Sequence, residues 1–229
     1  MTTTLWIAET FVSIQGEGSL VGTPSLFIRT SGCNLRCHFC DTPYSSWHAA
    51  GEPRTIASLL EALERYPHVR HVVVTGGEPV IAKGIEALVA ALKARDLHVT
   101  IETAGTHYVE LPVDLWSVSP KLASSAPPAE SGWRERHEAE RVRDDVIRRM
   151  LRGPHQLKFV AGSPADLDEI AAWVERVGAD SRHVMVMPEG TSVAALDAVA
   201  TWLVPALVTR GWRYCDRLHI RLFGHTPGT

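Results

Sequence analysis

The 229-residue sequence predicts an α/β fold built on a mainly parallel sheet. Apolar runs of strand length alternate with longer segments of helical pattern, and strand–helix–strand connections imply parallel strands joined by right-handed crossovers. The central runs are rich in Val and Ile, as expected for strands that helices cover. These observations allow either an open doubly wound sheet or a partial α/β barrel.

The same patterns predict the individual elements in chain order. The predicted strands are Leu5–Ser13, Ser25–Thr30, His71–Thr75, His98–Glu102, Asp114–Val118, Gln156–Val160, His183–Met187 and Leu218–Leu222. The predicted helices are Thr55–Tyr66, Ile81–Arg95, Arg134–Leu151, Pro164–Val177 and Ser192–Arg210. The fourth helix has the clearest start, because Ser163 is a good N-cap and Pro164 suits the first helical position.

Composition limits the function classes. The net charge of -3 argues against nucleic-acid or anionic-membrane binding. Hydrophobic residues make up 45% of the chain, so we expect one domain spanning residues 1–229 with its own core. The N-terminal segment lacks the features of a secretory signal and no apolar run is expected to span a membrane, which predicts a soluble cytoplasmic protein.

Two segments in the second half lack an obvious chemical role. Residues Ala123–Trp133 include Pro127-Pro128 and several Ser and Ala, so they predict an irregular loop. The charged run Arg134–Arg149 is interpreted as a solvated helix face rather than a nucleic-acid patch.

Three of the four cysteines form a Cys33-x-x-x-Cys37-x-x-Cys40 loop. Such clustering suits a metal centre better than a disulfide framework. Iron–sulfur clusters are normally held by four thiolates, so three ligands for a four-iron cube leave one iron open. The alternatives are a zinc site completed by a histidine, a redox pair of Cys37 and Cys40, or structural thiols. Cys215 is interpreted as a structural thiol.

Several short polar or Gly-rich segments directly follow predicted strands. They are Gln15–Gly18, the cysteine loop, Gly76–Pro79, Thr103–Thr106, Ser119–Lys121 and Pro188–Gly190. Because the carboxyl ends of parallel strands meet at one rim, we expect these segments to converge on a single site.

The cysteine loop with Phe39 before its last cysteine resembles the signature of the radical S-adenosylmethionine superfamily, and Gly76-Gly77-Glu78-Pro79 resembles its GGEP segment. The resemblance implies an incomplete, TIM-like α/β barrel of the radical SAM type. It also implies a 4Fe-4S cluster on Cys33, Cys37 and Cys40, with S-adenosyl-L-methionine on the open iron. Such enzymes cleave that cofactor reductively to a 5'-deoxyadenosyl radical, and the protein positions the reactants.

Flanking motifs resemble one family within that superfamily, the 7-carboxy-7-deazaguanine synthases. They are Phe11–Gly18, Arg29–Leu35, Cys40–Thr42, Thr75–Pro79, Glu102–Thr106 and Ser119–Lys121, and Leu218–Gly224 is similar to the family's final apolar strand. The resemblance implies a carbon–nitrogen lyase that converts 6-carboxy-5,6,7,8-tetrahydropterin to 7-carboxy-7-deazaguanine with loss of ammonia, toward queuosine and other deazapurines. It further implies Mg2+, flavodoxin or ferredoxin as electron donor, and a homodimer. The alternative within the superfamily is a glycyl-radical enzyme activating enzyme.

The same resemblance implies residue roles. Thr42 would bind Mg2+. The residues implied for the substrate are Ile14, Gln15, Gly16, Glu17, Arg29, Thr75 and Thr229. Those implied for S-adenosylmethionine are Phe39, Cys40, Asp41, Gly77, Ser119, Pro120, Lys121, Met187, Pro188, Glu189 and Gly190. No protein acid or base is assigned, and of the 11 histidines only His219 and His225 are candidates for testing.

Overall fold

A computed structural model describes residues 3–229 of the chain. Its strands are β1 (Thr4–Ile14), β2 (Pro24–Thr30), β3 (Glu52–Thr55), β4 (His71–Gly76), β5 (His98–Thr103), β6 (Leu115–Val118), β7 (His155–Ala161), β8 (Val184–Pro188) and β9 (Arg213–Tyr214). Its helices are α1 (Ile56–Leu60), α2 (Ala62–Arg65), α3 (Ile85–Lys93), α4 (Arg134–Arg141), α5 (Asp144–Met150), α6 (Pro164–Val177), α7 (Val193–Arg210) and α8 (Leu218–Phe223). Seven of the eight predicted strands are confirmed.

Within residues 3–229 the strands form one nine-stranded sheet in the order β3-β1-β2-β4-β5-β6-β7-β8-β9. Neighbouring strands are parallel from β2 to β9, whereas β1 is antiparallel to both β2 and β3. The outermost strands β3 and β9 do not pair with each other, so the sheet is not closed. The predicted incomplete α/β barrel is confirmed.

The hydrophobic core lies between the sheet and its helices. Val72 and Val74 of β4, Phe159 of β7 and Trp173 of α6 belong to this core and are almost fully buried. Successive side chains of a strand point to opposite faces of the sheet. Gln156 and Lys158 of β7 therefore point to the face opposite to that of Phe159. The inner face is therefore polar, and this is the face that carries the site.

Helix α6 begins as predicted. Ser163 has extended N-cap geometry and Pro164 is the first helical residue. The backbone N–H of Ser163 donates to Asp166 Oδ2 at 2.8 Å, which completes a capping box.

Helix α7 differs from the expectation that no apolar segment has the length of a membrane span. Its 18 residues are long and apolar enough to cross a membrane by length and composition alone, and 17% of them are buried in the protein. It nevertheless packs against β8 and β9, starts at the N-cap Ser192 and ends at Gly211. We therefore describe it as a surface helix of a soluble α/β protein, with an apolar outer side on which Val208 is 77% exposed.

The predicted final strand Leu218–Leu222 is wrong, because this segment forms α8. Its apolar residues alternate over only five positions, and so short a pattern does not separate strand from helix. The helical geometry buries Ile220 and leaves Leu222 55% exposed. It also lets the start of α8 face the inner side of the sheet, where His219 lines a cavity.

Other differences are smaller but affect the site. The predicted helix Arg134–Leu151 is split into α4 and α5, because Val142 is extended and Asp144 starts a new helix. The predicted helix Thr55–Tyr66 is likewise split into α1 and α2. Since β1 is antiparallel, the segment after it cannot reach the rim formed by the parallel strands. It instead turns across the inner face, where Ser19 N donates to Gln156 Oε1 at 2.8 Å.

Candidate active site

A cavity of about 770 Å3 lies on the inner face of the sheet. The residues that the sequence implied for the substrate all line it: Ile14, Gln15, Gly16, Glu17, Arg29, Thr75 and Thr229. It is also lined by Cys33, Cys37, Thr42 and most residues implied for S-adenosylmethionine, namely Phe39, Cys40, Asp41, Gly77, Ser119, Lys121, Met187, Glu189 and Gly190. Pro120 and Pro188 do not line it. Pro188 is buried in β8, where it pairs with Ala161.

The three cysteines follow β2 and are free thiols packed near Leu35 and Ala104. Burial, reinforced by nearby Glu78, raises the pKa of Cys33 to about 12. Burial likewise raises the pKa of Cys37 to about 11. These thiols therefore stay protonated until a cation binds them, and iron would provide that charge.

The donor set fits a cluster better than a single metal ion. Among residues 3–229, no three Cys, His or carboxylate side chains converge closely enough to hold one ion. A zinc site requires such convergence, with every ligand within bonding distance of one point. A four-iron cube binds each cysteine at a separate corner, so its thiols can face one cavity without converging. Leu35 N already donates to Cys33 Sγ at 3.4 Å, which suits a sulfur that will carry negative charge.

The glycines after β4 are required by close packing. A Cβ on Gly77 would lie 2.2 Å from the Gly32 carbonyl oxygen and 2.5 Å from that of Ser45. Both carbonyls belong to the segments around the cysteine loop. Close contact between the end of β4 and the cysteine loop is therefore a structural reason for glycine at this position.

Glu78 of the same motif is completely buried. Its carboxylate accepts hydrogen bonds from Thr103 Oγ1 at 2.7 Å and from Ala104 N at 2.8 Å. It therefore links the segment after β4 to the end of β5. Within residues 3–229 it forms no salt bridge with a Lys, Arg or His side chain.

The part of the cavity that the resemblance implies for S-adenosylmethionine is lined by a cation and by an apolar wall. Lys121 Nζ donates to Ser119 O at 2.7 Å and to Ser119 Oγ at 2.9 Å. Met187 packs with Val160 near Cys215. A charged head next to an apolar surface suits a ligand with a carboxylate at one end and a flat base at the other.

Four side chains form what we call the charged floor: Gln15, Glu17, Glu102 and Lys158. Lys158 Nζ donates to Glu17 Oε2 at 3.0 Å and to Glu102 Oε1 at 3.1 Å. Gln15 Nε2 donates to the same Glu102 oxygen at 3.2 Å. The floor therefore joins the loop after β1 to β5 and β7, and it presents two carboxylates to the cavity.

Pairing keeps the floor ionised. Burial alone would raise the pKa of Glu17, but Lys158 and Arg217 lower it well below its usual range. Burial alone would lower the pKa of Lys158, but Glu102 and Glu17 raise it. Lys158 is 2% exposed, so each charge depends on its partners for the stabilisation that water would give elsewhere.

Arg217 connects the floor to the cysteine loop. Its Nε donates to Glu17 Oε1 at 3.1 Å, its Nη1 donates to Gly190 O at 2.7 Å, and its Nη2 donates to Asp41 Oδ2. These partners come from three different segments that line the cavity. A guanidinium can hold all three because its donors have a fixed planar geometry.

Arg29 is held in place by a carboxylate and a phenol. Its Nε donates to Glu9 Oε1 at 2.6 Å, and Tyr44 Oη donates to the same oxygen at 2.7 Å. Among the described residues its hydrogen bonds use Nε only, so the Nη edge is available to a ligand in the cavity. Arg29 thus forms a salt bridge with Glu9 through Nε and keeps its Nη edge toward the cavity.

Thr42 and the C-terminal tail close the remaining side. Thr42 Oγ1 accepts a hydrogen bond from Ser45 Oγ at 3.2 Å and faces the cavity. His225 Nε2 donates to Asp41 O at 2.8 Å, which brings the tail against the cysteine loop. A Cβ on Gly16 would lie 2.2 Å from His219 Nδ1, so α8 and the loop after β1 are in close contact.

Several site residues carried no assigned role at the sequence level. Glu102 lies in the Glu102–Thr106 motif, and Lys158 is a lone cation in the mainly apolar predicted strand Gln156–Val160. A charge inside a run typical of a buried strand is itself a signal, because such residues are rarely buried without partners. Glu9, Tyr44 and Arg217 gave no comparable signal, since each is an ordinary polar residue outside the motifs that follow strands.

Comparison with known proteins agrees with this arrangement. Residues 27–119 match the radical SAM superfamily. A 7-carboxy-7-deazaguanine synthase of Rhodopirellula baltica is 48% identical, over 98% of this chain and 89% of its own length. One of Halobacterium salinarum is 42% identical over 97% of this chain and 92% of its own. The crystal structure of QueE from Escherichia coli superimposes with a TM-score of 0.71 at 25% identity, covering 94% of this chain and 95% of that one.

The near-complete coverage matters because it includes both the cysteine loop and the loops that form the charged floor. It also shows that the small size of the chain is that of its relatives. The superfamily match brings with it a 4Fe-4S cluster and S-adenosylmethionine as cofactors. The chain belongs to the 7-carboxy-7-deazaguanine synthase family of the radical SAM superfamily.

Proposed function

We propose that this chain converts 6-carboxy-5,6,7,8-tetrahydropterin to 7-carboxy-7-deazaguanine, contracting the ring and releasing ammonia. The observation that carries the proposal is one cavity lined both by the three-cysteine loop and by the carboxylates of Glu17 and Glu102, which share Lys158. When bound, the reduced cluster and S-adenosylmethionine supply a 5'-deoxyadenosyl radical that abstracts hydrogen from the substrate.

The charged floor is suited to the pterin edge. That edge presents N–H donors and a carbonyl, and Glu17, Glu102 and the Gln15 amide offer complementary acceptors and a donor. Gln15 is buried and the side chains of Glu17 and Glu102 are only 16% and 22% exposed, so an analogue without the matching groups would leave largely covered polar groups unpaired, which is costly. The free edge of Arg29 is suited to the substrate carboxylate, for which a planar guanidinium gives two parallel hydrogen bonds.

We place S-adenosylmethionine between the apolar wall at Met187 and the cation of Lys121. The neighbouring segment around Glu189 and Gly190 would flank the adenine, and Asp41 would border the methionyl end. The tail, including Thr229, would cover the bound reactants and exclude water. Deleting Thr229 should weaken substrate binding, and unchanged substrate affinity would rule out its role.

Mg2+ would bind at Thr42. Its hydroxyl faces the cavity, and substrate oxygens and waters would complete the octahedral shell that Mg2+ prefers. Replacing Thr42 with Ala should weaken the Mg2+ dependence of turnover, while Thr42→Ser should preserve it. If both variants respond to Mg2+ like the unchanged protein, the metal role is wrong.

The resemblance further suggests a cytoplasmic homodimer reduced by flavodoxin or ferredoxin, with a product that leads to queuosine or another deazapurine. Analytical ultracentrifugation tests the dimer, and cluster reduction by each purified donor tests the electron source.

The decisive experiment is anaerobic. The protein is reconstituted with iron and sulfide, given S-adenosylmethionine, reductant, Mg2+ and the tetrahydropterin, and the products are identified by mass spectrometry. We expect 7-carboxy-7-deazaguanine. Formation of 5'-deoxyadenosine without it would reject the substrate and favour a glycyl-radical enzyme activating enzyme. A protein that holds iron but forms neither product would contradict the radical chemistry.

A further inference from the structure

The cysteine loop has no regular structure of its own. Between Cys33 and Cys40 the backbone forms neither helix nor strand, and its internal backbone hydrogen bond is Cys40 N to Cys37 O at 3.3 Å. A loop of this kind has many conformations unless other parts of the protein restrict it. Its ligand geometry must therefore be set by contacts from outside.

Many of those contacts come from residues 122–140, which we call the outer clamp. This segment contains the predicted irregular loop and most of α4, and no chemical role was predicted for it. His38 N donates to Ser125 O at 3.0 Å, and Arg36 N donates to His137 Nδ1 at 3.2 Å. The clamp therefore binds two backbone amides of the cysteine loop, one on each side of Cys37.

His137 is placed to act as an acceptor. It is completely buried, although its helix was predicted to have a solvated face. Burial lowers its pKa to about 4. Because Nδ1 accepts from Arg36, the ring proton lies on Nε2, which donates to Ser125 Oγ at 3.0 Å. Ser125 Oγ in turn donates to Leu122 O at 2.6 Å. Every polar atom of the ring is thus used.

Two further contacts extend the clamp along the loop. The Arg36 guanidinium stacks on Trp133 at 4.1 Å from the ring centroid and donates to Cys33 O at 2.7 Å and Leu35 O at 2.8 Å. Asn34 Nδ2 donates to Glu140 Oε2 at 2.9 Å. Asn34 and Arg36 are therefore held by the outer clamp directly, and Leu35 is held by the Arg36 guanidinium that stacks on the clamp.

We propose that the outer clamp is a positioning device that holds the cysteine loop in its cluster-binding shape, with His137 as its central acceptor and Trp133 as its outer support. The clamp touches no reactant and acts through the backbone of Arg36 and His38. Its expected effect is on cluster retention rather than on affinity for substrate. This inference depends on the cluster and is independent of the identity of the pterin substrate.

Two variants at one position test the central contact. His137→Asn places a carbonyl oxygen near the position of Nδ1 and keeps the acceptor for Arg36 N, whereas His137→Gln reaches toward Ser125 and loses that acceptor. The reconstituted holoenzyme is challenged anaerobically with a ferrous chelator, and iron release is followed by absorbance. We expect His137→Gln to release iron about tenfold faster than the unchanged protein, and His137→Asn to remain close to it.

Controls separate the clamp from general stability. Arg176→Gln removes an equivalent cation stack, 4.3 Å from the ring of Trp173, and should leave iron release unchanged. Urea unfolding of the cluster-free proteins measures the fold itself. Equal release rates for the two His137 variants, or release that merely follows the unfolding midpoint, would overturn the proposal. Trp133→Leu is the second test if His137→Gln does not fold: it should release iron several-fold faster, and an unchanged rate would also overturn it.

Discussion

The cysteine loop and the charged floor serve the same cavity but are built differently. The loop places its three ligands within eight consecutive residues after β2, and backbone contacts with the outer clamp hold it in shape. The floor brings together Glu17, Glu102 and Lys158 from three separate parts of the chain, and each charge is compensated by the others. A local motif can lose one contact and remain recognisable, whereas a network of buried charges depends on every member.

The largest effect is therefore expected in the floor. Lys158→Met leaves Glu17 and Glu102 without their shared cation and should lower the free energy of unfolding by about 3–5 kcal/mol and abolish product formation. Denaturant unfolding of the cluster-free protein measures the stability. The matched control is Lys93→Met, which removes a partly exposed pair with Asp114 and should cost about 0–1 kcal/mol. If both variants lost the same free energy of unfolding, the charges of the floor would contribute no more than a partly exposed ion pair.

The next effect is expected where the two regions meet. Arg217→Gln removes the cation that joins Glu17 to Asp41 and should lower kcat/KM about 30-fold, as expected for a buried charge pair that loses one partner. Steady-state rates measure this effect. Arg221→Gln, in the helix that Arg217 precedes, removes partly exposed pairs to Asp197 and Asp216 and should stay within about twofold. An unaffected Arg217 variant would mean that loop and floor are independent.

A more selective effect is expected at Arg29. Arg29→Lys keeps the charge but loses the planar edge, so KM for the tetrahydropterin should rise about tenfold. Formation of 5'-deoxyadenosine without substrate should not change, because we propose that Arg29 binds the substrate carboxylate. A rise in KM for S-adenosylmethionine instead would move Arg29 to the cofactor side.

The effect that is smallest at neutral pH concerns a buried histidine that is neutral, in contrast to the paired charges of Glu17 and Lys158. His71 bonds to Ser25 Oγ at 2.7 Å and Thr100 Oγ1 at 2.8 Å, and burial lowers its pKa to about 4. Between pH 6.5 and pH 4 the unfolded chain therefore binds a proton that the folded chain does not. Stability should fall as pH drops through this window, by up to about 1.4 kcal/mol per pH unit for this group. His71→Gln should have a correspondingly smaller slope in unfolding experiments, and an unchanged slope would contradict the assignment.

The contrast between the regions also explains what the sequence could predict. The cysteine loop, Gly77 and Lys121 lie in contiguous motifs that directly follow strands, so strand periodicity and position were sufficient to bring them together. The strands of the central sheet could also be predicted, because each is a short run dominated by buried residues, most of them apolar. The short edge strands β3 and β9 have no such run and were not predicted.

What could not be predicted depends on long-range packing. The loop after β1 was expected at the rim, but β1 is antiparallel and the loop lies across the inner face instead. Glu9, Tyr44 and Arg217 acquire their roles only through partners 20 to 200 residues away in sequence. α8 replaced a predicted strand because five residues of apolar alternation fit either structure.

The central claim is that the cavity brings the substrate held by the floor next to the radical source held by the cysteine loop. Substrate deuterated at C6 tests it most directly. After anaerobic turnover, the account predicts deuterium in the 5'-deoxyadenosine isolated from the reaction, together with 7-carboxy-7-deazaguanine. Deazaguanine product accompanied by 5'-deoxyadenosine without deuterium would contradict it, because the radical would then have reacted elsewhere than at the position the floor presents.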